Sequence, residues 1–182
     1  MRTSTVLLSG GIDSMVCLDF VIETKRYVDA VYIDYGQISR TYELEAAKKI
    51  SNHFNIELRL ITLDFGKQFG VGEIPNRNAA LIFSAAVAIS GSSDELILGI
   101  HAGTEYKDCT AGFVKACKCV LEYSQYSQPS LIAPLQTWSK DNVFAYCITK
   151  NLPIAKTYSC EAGTLLPCGK CLSCRDREEL SC

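Results

Sequence analysis

The sequence has no long hydrophobic run and no run of basic residues. Its apolar stretches all fall short of the roughly 18 consecutive residues that suggest a transmembrane helix, and no basic segment followed by an apolar one precedes the first predicted strand. We therefore expect a cytoplasmic protein without a membrane partner. The formal net charge is −2, and lysine and arginine occur only in short groups such as Lys48–Lys49. A nucleic-acid partner is consequently not expected, and a small-molecule substrate fits better.

Histidine is also scarce, because the chain contains only two, and neither has a metal-ligand pattern around it. His53, at the end of a predicted helix, is interpreted as structural, whereas His101, just past a predicted strand, is a candidate substrate contact. The chain has 182 residues, of which 48% are hydrophobic and 21% charged, so it can bury one sizeable core. We expect one domain over residues 1–182.

The most informative segment is Ser9-Gly10-Gly11-Ile12-Asp13-Ser14, which follows the apolar run Thr5–Leu8. A buried strand, a glycine turn and a helix start in this order gather backbone N–H groups at one point, which predicts a phosphate site. Ser9 and Ser14 add hydroxyl donors, and Asp13 is a candidate Mg²⁺ ligand or N-cap. The lysine of a Walker A loop is missing, which argues against a kinase or GTPase. A glycine-rich turn without a ligand is the alternative.

Strands and helices alternate along the chain, which predicts an α/β fold with a parallel sheet. Further strands are predicted at Val28–Asp34, Leu58–Leu63, Glu95–Ile100 and Ser130–Ala133, and helices at Arg40–Phe54, Ala79–Ser90, Phe113–Tyr126 and Ser139–Lys150, the last with Ser139 as N-cap. Ligands gather at the carboxyl ends of such strands. Arg77, at a helix entrance, could grip a phosphate or carboxylate, the alternative being a solvated surface arginine. Phe65–Ile74 is either a loop over the active face or a simple connection.

Four of the ten cysteines lie close together in the tail 157–182, namely Cys160, Cys168, Cys171 and Cys174. Two overlapping Cys-x-x-Cys steps and a fourth thiolate can supply a closed Cys₄ zinc site. A [4Fe–4S] cluster is the main alternative, although its usual cysteine spacing is absent here. The tail has little apolar content, so a metal there would be structural and would order the segment. The remaining cysteines are predicted to be mostly buried small hydrophobes.

The loop Ser-Gly-Gly-x-Asp-Ser resembles the PP-loop of the N-type ATP pyrophosphatases, which cleave ATP between its α- and β-phosphates. The order of motifs along nearly the whole chain is similar to the 7-cyano-7-deazaguanine synthase family, also called QueC. Besides the loop, the resemblance rests on Asp34-Tyr35-Gly36-Gln37, Pro75-x-Arg77-Asn78, Gly99, Tyr106-x-Asp108-Cys109-x-x-x-Phe113, Pro134-Leu135, Lys140 and the cysteine tail.

The resemblance implies a Rossmann-type, three-layer α/β sandwich with a five-stranded parallel sheet. It also implies an enzyme that converts 7-carboxy-7-deazaguanine to the nitrile with ATP, ammonia, Mg²⁺ and a structural Zn²⁺, usually as a homodimer. The residues implied as catalytic are Ser9, Asp13, Ser14 and Lys140. Those implied at the nucleotide are Leu8, Ser9, Gly10, Gly11, Ile12, Asp13, Ser14, Asp34, Tyr35, Arg77 and Asn78, and those at the substrate are Gln37, Arg77, His101, Tyr106 and Asp108.

Departures from the family pattern fall on the substrate side. Lys107 stands where the family usually has proline, the loop Gly103-Thr104-Glu105 is short, and the segment before Pro75 is shorter than usual. The ATP chemistry is therefore better supported than the product. Compact relatives occur in antiviral defence, so one rival function is that of an enzyme that stops at the amide or joins the activated deazaguanine to an amine of a protein or peptide. A PP-loop tRNA-modifying enzyme and a non-enzymatic zinc-binding module are two further candidates.

Overall fold

The fold is a parallel sheet between two helical layers, as the sequence predicts. The computed structural model describes residues 3–24, 27–103, 106–124 and 128–179. The strands are β1 (Thr3–Leu7), β2 (Tyr27–Asp34), β3 (Leu58–Thr62), β4 (Glu95–Ile97) and β5 (Ser130–Ile132), arranged in the order β3-β2-β1-β4-β5. All neighbours are parallel, and Val6 in β1 pairs with Ala30 in β2 and Ile97 in β4. The direction of the strand order reverses beside β1, which places a ligand crevice at its carboxyl end.

Six helices and two short 3₁₀ turns connect and follow these strands in the described residues. They are α1 (Ile12–Thr24), α2 (Arg40–Phe54), α3 (Arg77–Ile89), α4 (Ala111–Glu122), α5 (Lys140–Thr149) and α6 (Leu172–Glu179), with turns at Lys107–Cys109 and Ile154–Lys156. The predicted bounds of α2 are confirmed, and Ser139 caps α5 in a reciprocal pair with Asn142. Within the described segments, none of the helices is both long enough and apolar enough to cross a membrane.

Some predicted bounds are wrong by a few residues. Helix α4 begins at Ala111, earlier than predicted, because the Thr110 hydroxyl accepts the N–H of Phe113 and caps it there. The predicted C-terminal residue of this helix, Tyr126, lies outside the described residues. Strand β4 ends at Ile97, three residues before the predicted end at Ile100. The last backbone hydrogen bond to β5 is donated by the N–H of Leu98 to the carbonyl of Ile132. The expectation of mostly buried cysteines does not extend to Cys119, which is exposed.

Two hydrophobic cores lie on opposite faces of the sheet. Consecutive residues of β2 alternate between them, so that Ala30 and Tyr32 pack in one core and Val31 and Ile33 in the other. The first core is covered by α1, α2 and α5, and the second by α3 and α4. Burying each large aliphatic side chain contributes about 1.5–3 kcal/mol. This packing fixes the sheet and therefore the place where its strand ends open.

The segment after α5 folds back onto the start of the chain. The backbone N–H of Tyr158 donates to the carbonyl of Gly10 at 2.9 Å, and the Tyr158 ring stacks on Tyr42 with centroids 5.2 Å apart. In α6, Arg177 donates to the Thr157 carbonyl and to the Ser159 hydroxyl. The cysteine tail is thus docked on the glycine loop and on the N-terminal turn of α2.

Candidate active site

A cleft of about 750 Å³ opens at the carboxyl ends of β1, β2 and β4. This volume is in the range of small-molecule sites. One wall is the loop Ser9–Ser14, which connects β1 to α1, and the opposite wall comes from the segment around Arg77 and from the turn at Lys107–Cys109. The end of the segment Phe65–Ile74, from Gly72 to Ile74, also lines the cleft. That part of the segment therefore lies on the active face rather than away from it.

The loop at the end of β1 is closed by its own hydroxyl groups. The Ser14 hydroxyl donates to the Gly11 carbonyl at 2.9 Å, the Gly11 N–H points to the Ser9 hydroxyl at 3.4 Å, and the two hydroxyl oxygens are 3.2 Å apart. Gly10 has φ +88°, and a Cβ atom there would come within 2.5 Å of the Glu43 carbonyl oxygen. A side chain is therefore excluded, and the first N–H groups of α1, which have no partner within the helix, remain available for an anion.

Asp13 and Lys140, which the resemblance implied as catalytic, meet in the cleft. The Lys140 ammonium lies 3.1 Å from both carboxylate oxygens of Asp13 and 3.9 Å from the carboxylate of Asp176. Burial raises the pKa of Asp13, but the contacts with His101 and Lys140 outweigh it and lower the pKa below its usual value. Asp13 is accordingly a carboxylate, and the side chain of Lys140 is held beside the loop Ser9–Ser14.

Arg77 begins α3 and lines the cleft, so it is not a solvated surface arginine. Burial lowers its pKa, yet neighbouring Tyr35 and Asp108 outweigh this and raise it, which keeps the guanidinium charged. The Asp108 carboxylate accepts the backbone N–H of Asn78 at 3.3 Å, and the Asn78 amide donates to the Asp108 carbonyl at 3.2 Å. These bonds join the turn at Lys107–Cys109 to the start of α3 and place Arg77 beside Asp108.

Three implied site residues have side chains already engaged within the protein. Gln37 is buried, and its amide donates to the Tyr32 hydroxyl at 2.9 Å and to Glu43 at 2.8 Å. The Asp34 carboxylate accepts the N–H of Gly36 at 3.0 Å and is not among the residues that line the cleft. His101 is 2% exposed and contacts Asp13. The nucleotide role of Asp34 and the substrate roles of Gln37 and His101 stay predictions.

Most of the remaining implied contacts also line the cleft, and their roles stay predictions. The cleft is lined by Leu8, Gly11, Ile12, Tyr35, Asn78 and Tyr106, whereas Gly10, itself part of the loop Ser9–Ser14, packs against α2. Tyr106 follows the undescribed residues 104–105, so the shortened loop that the sequence singled out there lies partly outside the described residues. The cleft thus brings the loop Ser9–Ser14 together with Arg77 and the turn at Lys107–Cys109, from segments that are distant in the chain.

The four predicted metal ligands also come together. The sulfur atoms of Cys160, Cys168, Cys171 and Cys174 all lie within 4.8 Å of one another, and those of Cys168 and Cys174 are 3.9 Å apart. One tetrahedral ion with bonds of about 2.3 Å requires sulfur atoms about 3.8 Å apart. A four-iron cluster would hold them further apart, because the irons lie between them. The set therefore fits a single ion, with the N–H groups of Lys170 and Cys171 directed at the Cys168 sulfur.

Comparison with known proteins shows which family this chain belongs to. The family model described as queuosine biosynthesis protein QueC matches residues 3–73 and 71–180. The chain belongs to the QueC family. Membership confirms the predicted family and enzyme class, and the α/β fold of a PP-loop enzyme agrees with it.

Two relatives of this QueC chain are named 7-cyano-7-deazaguanine synthase. The protein from Synechococcus sp. (strain CC9902) is 30% identical over 207 aligned residues, covering 97% of this chain and 91% of the relative. That from Methanosarcina mazei is 27% identical and covers 92% and 88% of the two chains. Among solved structures, the U34-tRNA thiolase NcsA from Methanococcus maripaludis, with its [4Fe-4S] cluster, has a TM-score of 0.57 at 20% identity over 99% of this chain and 64% of its own. At that identity the likeness shows the fold alone.

Residues from the cysteine tail form part of the cleft in this QueC chain, which the sequence did not predict. The lining residues from this tail are Tyr158, Ser159, Glu161, Leu172, Ser173, Arg175, Asp176 and Arg177. Glu161 accepts a hydrogen bond from the Ser173 hydroxyl at 2.9 Å, which ties the segment directly after Cys160 to α6. The sequence did contain one indication of a polar role for the tail, since charged residues directly follow Cys174. Nothing in their spacing, however, indicated that the tail folds back over the loop Ser9–Ser14.

Proposed function

We propose that this QueC-family enzyme activates the carboxylate of 7-carboxy-7-deazaguanine with ATP and converts it with ammonia, through the amide, to the nitrile 7-cyano-7-deazaguanine. The named relatives, which align with nearly the whole chain, support this substrate. The observation that carries the proposal is that the loop Ser9–Ser14 lines the same cleft as Arg77, Tyr106 and Asp108. An adenylating enzyme needs this arrangement, because the triphosphate and the acid must meet at one place.

In the first step, a carboxylate oxygen of the substrate attacks the α-phosphorus of ATP. The bond between the α-phosphorus and the bridging oxygen breaks, and pyrophosphate leaves with the electron pair. Ser9, Ser14 and the first N–H groups of α1 would stabilise the charge on the departing pyrophosphate, and the Lys140 ammonium lies beside them. Bound Mg²⁺ would neutralise phosphate charge, and Asp13 is the carboxylate on this loop suited to hold it.

In the second step, ammonia attacks the acyl carbon, AMP leaves, and loss of a proton gives the amide. A second ATP then adenylates the amide oxygen with release of pyrophosphate, and loss of AMP with two protons leaves the nitrile. Arg77 is suited to hold the substrate carboxylate, because its guanidinium stays charged and presents paired donors. Asp108 and Tyr106 are the polar groups on the same wall for the edge of the deazaguanine.

Product analysis tests this function directly. Purified protein is incubated with ATP, Mg²⁺, 7-carboxy-7-deazaguanine and ammonium, and the products are identified by mass spectrometry. We expect the nitrile together with AMP and pyrophosphate. ADP and phosphate would contradict the proposal, because they would mean attack at the γ-phosphate.

A second candidate is suggested by Lys107, an exposed residue between Tyr106 and Asp108 in the chain, at a position where the resemblance leads us to expect proline. The same activated acid could be transferred to an amine of a protein or peptide instead of ammonia, or the reaction could stop at the amide. The same assay distinguishes these outcomes, since an enzyme of the second kind gives no nitrile in ammonium and forms a conjugate when an amine-bearing peptide is supplied.

We further propose that Cys160, Cys168, Cys171 and Cys174 hold one structural Zn²⁺. The sulfur separations support one ion with all four positions filled by thiolates, which leaves no position for a catalytic water. Elemental analysis should find one zinc per chain. Iron with brown absorbance would contradict this assignment and favour a cluster. A homodimer and a cytoplasmic location also stay predictions.

A further inference from the structure

His101 is a buried polar residue that the proposed reaction does not use. It lies shortly after β4, with 2% of its surface exposed. Its Nδ1 atom accepts the backbone N–H of Gly103 at 3.0 Å. A nitrogen that accepts this bond cannot carry a proton, so the proton of the neutral ring is on Nε2. The ring therefore presents a fixed N–H donor on its other side.

That donor lies near Asp13. The Nε2 atom is 3.5 Å from an Asp13 carboxylate oxygen, which is longer than a normal hydrogen bond. Among the described residues it has no hydrogen-bond partner. Buried donors are rarely left unpaired, because they lose their bonds to water without a replacement. A small rotation of the Asp13 carboxylate would shorten the contact and satisfy His101.

In the structure, the Lys140 ammonium donates to both oxygens of the Asp13 carboxylate, at 3.1 Å each. The proposed reaction gives Lys140 a second task, because a flexible ammonium beside the loop Ser9–Ser14 will be drawn to the triphosphate. Once Lys140 turns to the nucleotide, Asp13 loses its present partner. His101 is then the buried donor already next to the carboxylate.

The turn that carries His101 also fixes its position relative to Lys140. A Cβ atom on Gly103 would lie 2.7 Å from the backbone nitrogen of Lys140 and 3.0 Å from Nδ1 of His101. In addition, the N–H of Ala102 donates to the Trp138 carbonyl, just before α5, at 3.0 Å. Consequently the His101 ring and the backbone of Lys140, the first residue of α5, are held together through Ala102 and Gly103, and we expect them to move as one unit.

We propose that His101 is a positioning residue that keeps the Asp13 carboxylate oriented in the nucleotide site while Lys140 binds the triphosphate. This inference depends on the proposed use of ATP. It differs from the role that the family resemblance implied, because the buried ring acts through Asp13 rather than on the deazaguanine.

Two substitutions separate this role from a purely structural one. In His101→Asn, the amide oxygen can replace Nδ1 as acceptor for Gly103, but no donor reaches Asp13. In His101→Gln, the amide N–H lies near the former position of Nε2 and can donate to Asp13. We expect the kcat for AMP formation to fall about 10-fold or more in His101→Asn, as for other losses of precise positioning. It should fall clearly less in His101→Gln, with similar KM for ATP in both. His53→Gln is the matched control, because His53 is exposed and contacts Lys156.

Equal activity of the two variants, or an asparagine variant more active than the glutamine one, would overturn the proposal. So would losses that simply follow the melting temperature of each variant. A parent protein that forms no AMP would instead contradict the proposed function, and this outcome is distinguishable because the parent is measured first.

A measurement on the unmodified protein covers the case in which both variants fail to fold. With two histidines in the chain, ¹⁵N labelling of histidine gives two ring systems in the NMR spectrum. We expect His101 to carry its proton on Nε2, and this proton to shift downfield when a non-hydrolysable ATP analogue is added, as the bond to Asp13 shortens. A proton on Nδ1, or an unchanged Nε2 signal with the analogue bound, would overturn the proposal.

Discussion

Replacing Gly163 with alanine should loosen the cysteine tail from the rest of the enzyme. Gly163 has φ +64°, and an added Cβ atom would overlap the carbonyl group of Ile38 and lie 3.1 Å from the nitrogen of Ser39. These are backbone atoms at the start of α2, so they cannot rotate away as a side chain could. The left-handed conformation costs an alanine about 1–2 kcal/mol, and overpacking against fixed atoms adds about 1–3 kcal/mol.

The matched control is Gly66→Ala. Gly66 has nearly the same backbone angle, φ +67°, but an added Cβ atom would have nothing within 4 Å. It therefore reports only the conformational cost. The difference in the free energy of unfolding between the two variants isolates the contact with Ile38, and we expect about 1–3 kcal/mol from urea denaturation with zinc present.

The same pair of variants tests whether tail docking supports the nucleotide site. Tyr158, five residues before Gly163, donates its N–H to the Gly10 carbonyl at 2.9 Å. A displaced tail would remove this bond, so the KM for ATP should rise in Gly163→Ala and not in Gly66→Ala. Equal unfolding free energies for the two variants would refute the docking argument. A destabilised Gly163→Ala protein with an unchanged KM would refute the link to the nucleotide loop.

Three further predictions concern the site itself. Ser9→Ala should leave the melting temperature nearly unchanged but reduce ATP turnover about 10²-fold, as expected for losing one preorganised donor; an unchanged rate in a pyrophosphate-release assay would contradict its role. Arg77→Lys keeps the charge but loses the planar pair of donors, so calorimetric titration should show weaker binding of 7-carboxy-7-deazaguanine and unchanged binding of ATP; the opposite pattern would move Arg77 to the nucleotide. Cys171→Ser should lower the zinc content below one per chain and make the tail sensitive to protease, and a protected tail without metal would contradict the structural role.

Local features of this fold could be predicted from the sequence because their causes are local. The apolar run, the paired glycines and the following helix start indicated the loop Ser9–Ser14, and the spacing of apolar residues among charges predicted α2 over Arg40–Phe54. The Ser139 cap was predictable for the same reason, since its partner Asn142 is three residues away. The cysteine spacing likewise indicated a common site before any contact was known.

Side-chain directions and distant contacts could not be predicted in this way. Asp34 lies at a strand end, where ligand contacts gather, but its carboxylate is used by the N–H of Gly36 in the following turn. His101 also follows a strand, and only its burial beside Asp13 shows that it is turned inward. The contact of Lys140 with Asp13 joins residues 127 positions apart, and periodicity carries no information about such pairs.

The docked tail changes what loss of the metal should do to the enzyme. From the sequence, the cysteine ligands are expected to affect activity only through stability, because a closed Cys₄ site has no open position. In the structure, Asp176 on α6 lies 3.9 Å from the Lys140 ammonium, and Glu161 lies between the first two cysteine ligands and lines the cleft. A disordered tail would therefore remove the Asp176 charge beside Lys140 and open the cleft to water. Since electrostatic stabilisation is stronger where water is excluded, metal loss should reduce kcat even at temperatures where the sheet and its two cores remain folded.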